Sequence, residues 1–228
     1  MKPQFRKSPD ERASGGKLPG LRPLTNRGQT LFYIMSAIVV VKKSGKAVIA
    51  ADSLTTFGHT KFAKKYQRDS EKIHQFESSY IGIVGDAAHS NVFENIVEKY
   101  ADELSFNSRK NIFETYLYLH QILKEKFHLN PNVEEDVAYQ SSQIDALIAN
   151  EHGIFGMFEF REVHEFEKFW AIGSGKAYAL GAMYSAYDRL DDPAEIATVG
   201  IMASCEFDNS CDLPMSVYTL ELKKEGPA

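Results

Sequence analysis

The sequence predicts an α+β domain in which antiparallel sheets are flanked by helices. Two short apolar runs, 36–41 and 47–52, are joined through Ser44-Gly45, a pattern typical of a β-hairpin. After this hairpin, strand and helix patterns come in separate blocks: strands, two helices, strands, two helices and a last strand. Such blocks favour antiparallel sheets with helices packed on them over alternating β-α-β units.

The remaining elements follow from the spacing of apolar residues. Helices are predicted where these residues recur every three or four positions, as with Val92, Ile96 and Tyr100, and strands where short apolar runs end at turn residues. The predicted strands cover 72–76, 80–84, 145–150, 153–159, 169–172 and 215–222. The predicted helices cover roughly 87–104, 112–127, 175–187 and 193–206, and residues 130–140 are predicted as a loop.

Composition excludes several classes of function. The 228 residues carry a net charge of −5, so no basic surplus exists for a nucleic-acid partner. No apolar run approaches the roughly 20 residues that span a bilayer, so no membrane partner is expected. The two cysteines, Cys205 and Cys211, and the seven scattered histidines show neither a disulfide framework nor metal-ligand spacing. We therefore expect no metal and no cofactor.

Residues 1 to about 30 differ from the rest of the chain. They contain seven lysines and arginines against Asp10 and Glu11, with four prolines and no apolar periodicity. Such a composition cannot offset the entropy lost on ordering, and it lacks the apolar core of a secretory signal. We expect 1–35 to be a disordered leader or a wrongly assigned upstream extension, followed by a folded domain over 36–222 and a tail over 223–228.

A small hydroxyl residue, Ser36, opens the first strand directly after a methionine. If the chain before it were removed, Ser36 would present a hydroxyl and a free α-amine side by side, which are a nucleophile and a base in one residue. Sixteen positions later Asp52 ends the second strand, and Lys72 opens the third. On spacing alone, Asp52 and Lys72 are equally compatible with a surface ion pair.

Taken in order, these residues and the glycine-containing segments 81–87 and 171–175 resemble the β-type subunits of proteasomes. The bacterial protease HslV and the smaller bacterial proteasome homologues are of the same kind. The resemblance covers 36–222 and implies an N-terminal nucleophile hydrolase. Its fold would be a four-layer αββα sandwich of two antiparallel sheets.

The resemblance also implies the catalytic roles. Ser36 falls at the position of the family's catalytic threonine, so its hydroxyl would attack a peptide carbonyl while its α-amine takes the proton. Lys72 matches the lysine beside the nucleophile, whose ammonium stabilises the alkoxide and lowers the pKa of the α-amine. Asp52 matches the aspartate that holds this lysine and compensates its charge.

Further positions are implied in support of these three. The Gly85 N–H would serve the oxyanion at a helix start, where amide dipoles converge, and Ser174 matches a supporting serine. Asp208 and Ser210 are additional candidates for support. The pocket for the residue before the cut bond would be lined by Thr55, His74, Ile83 and Ala87. With Ile83 at its base, this pocket would favour an apolar side chain of modest size.

Two features depart from the family pattern. Most members use threonine, and serine lacks the γ-methyl group that restricts χ1, so we expect slower hydrolysis. Proteasome precursors cut themselves after a glycine, whereas Met35 precedes Ser36 here. A methionine before a small residue suits a methionine aminopeptidase. We therefore hypothesise that Met35 is the initiator and that its removal exposes Ser36.

The leading hypothesis is a cytoplasmic, self-compartmentalising endopeptidase of the threonine type, with serine as nucleophile. By resemblance, identical subunits would form a ring, and a separate AAA+ unfoldase would feed unfolded polypeptide into it, since this sequence has no phosphate-binding loop of its own. Two alternatives stay open. One is a catalytically silent, proteasome-like assembly subunit that retains its leader, and the other is an N-terminal nucleophile enzyme such as an amidase.

Overall fold

Two large antiparallel sheets and four α-helices make up the part of the chain that the computed structural model describes, residues 36–57, 60–68, 71–85, 88–130 and 138–224. All of these residues belong to one unit, Phe32–Ala228. The predicted leader 1–35 and the end of the predicted tail, 225–228, lie outside the described residues.

The strands of the described residues are numbered along the chain. They are β1 (Ile38–Lys43), β2 (Lys46–Ala51), β3 (Thr55–Phe57), β4 (Thr60–Phe62), β5 (Ile73–Phe76), β6 (Ser79–Val84), β7 (Asp145–Asn150), β8 (Gly153–Met157), β9 (Val163–Phe166), β10 (Phe169–Ile172) and β11 (Ser216–Glu221). One sheet has the order β10-β1-β2-β11 and the other the order β5-β6-β7-β8-β9, while β3 and β4 pair separately. All neighbouring strands are antiparallel.

The hairpin of β1 and β2 lies at the centre of the four-stranded sheet. Its turn residues Ser44 and Gly45 have φ values of +52° and +75°, the left-handed conformations that match the twist of a tight hairpin. Along β1, Val39 packs with the helices that cover this sheet, while Ile38 and Val40 face the other sheet. Burial on both faces explains why the strand reads as a continuous apolar run.

The helices are α1 (Ala88–Tyr100), α2 (Arg109–Lys126), α3 (Lys176–Tyr187) and α4 (Pro193–Phe207). The Ser108 hydroxyl caps α2 by accepting a hydrogen bond from the Asn111 N–H, and the Asp192 carboxylate caps α4 in the same way through Ala194 N–H. Pro193 occupies the first turn of α4, where no N–H is needed. Among the described helices, none is long and apolar enough to cross a membrane.

Three apolar layers hold these elements together. The first lies between the five-stranded sheet and α1 with α2, the second between the two sheets, and the third between the four-stranded sheet and α3 with α4. The sheets approach so closely that a Cβ atom on Gly82 would lie 2.7 Å from Ile38 Cγ2. The predicted four-layer αββα sandwich is therefore confirmed.

Differences from the predicted elements are confined to polar or short segments. The pairing of β3 with β4 was not predicted. Strand β9 was not predicted either, because only Val163 of its four residues is buried. Helix α1 ends at Tyr100, and the residues that follow, Ala101–Glu103, form a turn of 3-10 helix. Most of the predicted loop 130–140 lies outside the described residues.

Candidate active site

Ser36 lies two residues before Ile38, where β1 begins, and its backbone is held by the turn that follows β10. The Ser36 N–H donates to Ser174 Oγ at 3.3 Å, and the Ser36 carbonyl accepts from Gly175 N–H at 3.2 Å and from Ser174 Oγ at 3.4 Å. Gly173 has a φ of +94°, and a Cβ atom there would lie 2.1 Å from Ser36 O. The residue before Ser174 must therefore be glycine for the turn to reach Ser36.

The Asp52 carboxylate, immediately after β2, receives four hydrogen bonds. Its Oδ1 accepts from Ala37 N–H at 2.9 Å and from Lys72 Nζ at 2.7 Å. Its Oδ2 accepts from Leu54 N–H at 3.0 Å and from Asp212 N–H at 3.3 Å. Asp52 therefore links the residue next to Ser36, the ammonium of Lys72 and the segment that precedes β11.

The ion pair of Lys72 and Asp52 is buried, which excludes the alternative of a surface pair. The Asp52 side chain is 0% exposed and the Lys72 side chain 11% exposed. Lys72 is positioned from the other sheet, because its carbonyl accepts from the N–H of Ile83 on β6. The site thus spans both sheets, with its carboxylate from one and its ammonium from the other.

Gly85 follows β6 at the end of the strand where Ile83 bonds to Lys72. Its φ is +154°, and a Cβ atom there would lie 2.9 Å from His89 Nδ1 and 3.0 Å from the Gln143 carbonyl oxygen. Glycine is therefore required in this narrow space. The buried His89 was not singled out from the sequence, because an isolated histidine early in a helix carries no pattern.

The two additional candidates near the end of α4 have different surroundings. Asp208 accepts a hydrogen bond from Ser210 N–H at 2.9 Å, whereas the Ser210 hydroxyl donates to the neighbouring Asn209 side chain. Two other buried side chains reach the turn after β10. Ser204 Oγ donates to the Gly175 carbonyl at 2.9 Å, and Cys211 Sγ lies 3.0 Å from the Cβ position of Gly175. Cys211 Sγ also donates to Asp208 at 3.7 Å, and burial raises the pKa of this thiol.

Cys211 was not predicted to contribute to the site, because the sequence gives it neither a disulfide pattern nor metal-ligand spacing. The signal that could have identified it is its spacing of three residues from Asp208, because a turn closes that interval through Cys211 N–H and Asp208 O. Within the described ranges, no group of three His, Cys, Asp or Glu side chains could hold a metal ion.

The predicted pocket residues are distributed over three elements. His74 on β5 pairs with Ile81, and Ile83 lies two positions further along β6. The side chains of His74 and Ile83 both face α1. The His74 ring contacts the ring of Phe93 on α1, and Ile83 belongs to the apolar layer that contains Phe93. Thr55 opens β3, where its hydroxyl donates to Gln67 at 3.4 Å. The fourth predicted residue, Ala87, lies outside the described residues.

Known proteins share this architecture. The structure of BPH from Thiobacillus denitrificans is 37% identical, with a TM-score of 0.79 over 83% of this chain and 100% of that chain. Its complex with epoxomicin has 37% identity and a TM-score of 0.78, over 82% and 100% of the two chains. Eukaryotic HslV from Trypanosoma brucei, at 18% identity and a TM-score of 0.58 over 81% and 99%, shares the fold.

A curated relative agrees with the structural comparison. The ATP-dependent protease subunit HslV of Caldicellulosiruptor saccharolyticus is 27% identical over 166 residues, which are 71% of this chain and 85% of that protein. No protein-family model matches the chain. The sandwich, the 37% identity to a structure that the chain covers completely and the HslV relative together show that the chain belongs to the HslV-like, proteasome-type family.

Proposed function

We propose that the chain is a peptidase subunit that cleaves peptide bonds with Ser36 as an N-terminal nucleophile, after residues 1–35 have been removed. The observation that carries the proposal is the Asp52 carboxylate, which binds both Ala37 N–H and the Lys72 ammonium. A buried charge pair one residue from the nucleophile suits an enzyme that must lower the pKa of a nearby amine. The protease described for the HslV relative supports the same class of reaction.

In the proposed reaction, the Ser36 hydroxyl oxygen attacks the substrate carbonyl carbon while its proton moves to the α-amine of the same residue. The tetrahedral intermediate collapses as the C–N bond breaks, and the protonated α-amine donates this proton to the leaving amine. Water then attacks the resulting ester while the α-amine accepts its proton. The ester C–O bond breaks, the carboxylic acid product leaves, and the α-amine returns the proton to the Ser36 oxygen. The α-amine, with a usual pKa of about 7.7 to 8.0, is suited to this exchange near neutral pH.

Asp52 and Lys72 would tune that amine without touching the substrate. The Lys72 ammonium favours the neutral amine by charge repulsion and stabilises the alkoxide by attraction. Asp52 keeps Lys72 in place and compensates its charge in a site with little solvent. The Ser174 hydroxyl, at 3.3 Å from Ser36 N, would orient the amine, and the Gly85 N–H would bind the oxyanion.

The proposal includes a ring of identical subunits in the cytoplasm that receives unfolded polypeptide from a separate AAA+ unfoldase. Support comes from the relative that is described as an ATP-dependent protease subunit. The sequence itself has no phosphate-binding loop, so the ATPase would be a partner protein.

A covalent probe and an intact-mass measurement test the nucleophile. The related BPH structure contains epoxomicin, and a peptide epoxyketone of this kind needs both the hydroxyl and the free α-amine to form its adduct. We expect the natively expressed protein to begin at Ser36 and to gain the mass of one inhibitor per chain. The S36A variant should stay unmodified, and S36T should react and hydrolyse peptides faster than the wild type.

The outcome that contradicts the proposal is equally definite. A native chain that retains residues before Ser36 has no α-amine at this position and would not react with the epoxyketone. That result would favour the alternative of a catalytically silent, proteasome-like assembly subunit.

A further inference from the structure

Gln143, two residues before β7, has an unusual backbone conformation. Its φ is +55°, in the left-handed region that glycine and asparagine adopt more readily than glutamine. The other non-glycine residues with positive φ in the described part of the chain lie in turns or just after a helix. Gln143 instead lies near the end of β6, because Asp145 pairs with Val84. Such a backbone persists only where the surrounding structure enforces it, and it is most common at functional sites.

Hydrogen bonds hold Gln143 through both its main chain and its side chain. Its N–H donates to Ser141 Oγ at 2.9 Å, and its Nε2 donates to the Asn130 carbonyl at 2.6 Å. The preceding residue, Ser142, is fully buried and donates its N–H to the Glu159 carbonyl at 2.7 Å. These partners lie in the segment after α2 and in the segment after β8. The conformation of Gln143 is therefore fixed from two elements.

The Gln143 carbonyl closes the space beside Gly85. Its oxygen lies 3.0 Å from the position that a Cβ atom of Gly85 would take, and His89 Nδ1 lies 2.9 Å from the same position. Glycine has no side chain to restrict its backbone, so neighbouring groups must fix the direction of its N–H. A donor that stabilises an oxyanion has to be held in advance about 2.7–3.1 Å from the place where the charge develops. The Gln143 carbonyl is one of the groups that can hold Gly85 in this way.

We propose that Gln143 is a positioning residue that fixes the Gly85 N–H as the oxyanion donor. Gly85 lies two residues after Ile83, whose N–H donates to the Lys72 carbonyl at 3.2 Å. The Lys72 ammonium in turn donates to the Asp52 carboxylate. The residue confined by Gln143 is thus connected through one strand with the buried charge pair of the site. The inference rests on the proposed peptidase function, and Gln143 would act through Gly85 without touching the substrate.

The variant Q143V tests the role of this backbone conformation. A β-branched residue resists a positive φ, so the loop should move and the Gly85 N–H should lose its fixed direction. Loss of a whole oxyanion donor costs about 10²–10³ in kcat, and we expect a displaced donor to cost about tenfold, with KM within about twofold. The inhibition constant of a peptide boronate, which resembles the tetrahedral intermediate, should rise by about the same factor. The pH dependence of kcat/KM should keep its midpoint, because the α-amine and Lys72 are unchanged.

Three further variants separate positioning from stability. E77V imposes the same conflict at a φ of +49° in the exposed turn before β6, at the opposite end of the strand from Gly85, and should change neither kcat nor the boronate constant. Q143N restores a residue that tolerates the left-handed region, so its kcat should lie within about twofold of the wild type. S141A removes the acceptor of the Gln143 N–H without a backbone conflict and should lower kcat by about threefold, even if Q143V does not fold.

Hydrogen exchange followed by mass spectrometry separates failure of this inference from failure of the proposed function. In a proteolytic fragment that contains Gly85 but not Glu77, exchange should be faster in Q143V and S141A than in the wild type and unchanged in Q143N and E77V. If the wild type hydrolyses no peptide but exchange changes in this way, the peptidase proposal fails and Gln143 still positions Gly85. Unchanged exchange in Q143V and S141A overturns the inference. In an active enzyme, a kcat that falls no further in Q143V than in E77V overturns it as well.

Discussion

At the scale of single residues, Asp52 is the side chain on which the contacts of the candidate site converge. Its two oxygens accept from three backbone N–H groups and one ammonium, and its side chain has no exposed surface. Taking such a charge out of water is costly, so the folded state tolerates the buried Asp52 carboxylate only when all of these partners bind it. The arrangement is fragile towards loss of either charge.

The D52N variant tests this dependence. Asparagine would leave the Lys72 ammonium buried without a counter-charge and would present an N–H₂ group to donors. We expect the free energy of unfolding to fall by about 3–5 kcal/mol in urea titrations and hydrolysis to be lost. The control is D191N, because Asp191 is fully exposed and 3.9 Å from Lys43. An unchanged denaturation midpoint for D52N would contradict the account.

His74 predicts a dependence of stability on pH. Burial lowers its folded-state pKa below the ordinary 6.5, so between these two values the unfolded chain binds more protons than the folded one. The free energy of unfolding should therefore fall as the pH decreases from 6.5 through the folded-state pKa. Urea titrations at several pH values should show a shallower fall for H74N than for the wild type. Equal slopes would show that His74 does not contribute.

At the scale of elements, the antiparallel pairing explains why the site forms at one end of the sandwich. Ile38 at the start of β1 pairs with Ala51 at the end of β2 and with Ile172 at the end of β10. The residues that continue from those ends, Asp52 and Ser174, must therefore flank Ser36. Local sequence and strand order are enough to bring these three residues together.

The turn after β10 gives a prediction at this scale. In G173A the added Cβ atom would overlap Ser36 O at a φ of +94°, so the turn must move away from Ser36. We expect a loss of about 2 kcal/mol or more in the free energy of unfolding, together with slower hydrolysis. In G181A, within α3, a Cβ atom meets nothing within 4 Å. That control should gain about 0.5–1 kcal/mol from helix propensity.

Calorimetry and peptide hydrolysis of the two glycine variants provide the comparison. If G173A unfolds at the same temperature as G181A and retains its activity, the close approach of the turn to Ser36 contributes neither to stability nor to hydrolysis.

The elements that could be predicted from sequence are those that bury apolar residues. Strands β1 and β7 are apolar on both faces, and α2 has a regular apolar side, so each has a strong periodic signal. Strand β9 is largely polar and is held by pairing with β8, which no local pattern reveals. The same holds for side chains such as Cys211, whose contact with the Gly175 turn depends on how α4 packs against α3.

At the scale of the whole molecule, the outer surface of the sandwich carries large apolar side chains that the described residues leave uncovered. Phe207 and Met202 on α4 are 67% and 53% exposed, and Phe207 contacts the ring of Tyr178 on α3 at 5.7 Å between centroids. Exposed apolar groups such as the Phe207–Tyr178 pair are typical of protein–protein contacts. The proposed ring of identical subunits would cover them.

Charges placed at Met202 and Phe207 test whether the exposed surface of α4 lies between subunits. We expect M202E/F207E to keep its fold, because both side chains are exposed, and to shift the mass of the assembled particle towards that of a single chain, 25.7 kDa for all 228 residues. Sedimentation or mass photometry measures this shift. The Y66E control changes a side chain that is 70% exposed on a different surface and should leave the particle intact. If M202E/F207E assembles like the wild type, the subunits meet through other surfaces, because two buried glutamates without partners would be strongly destabilising in any such contact.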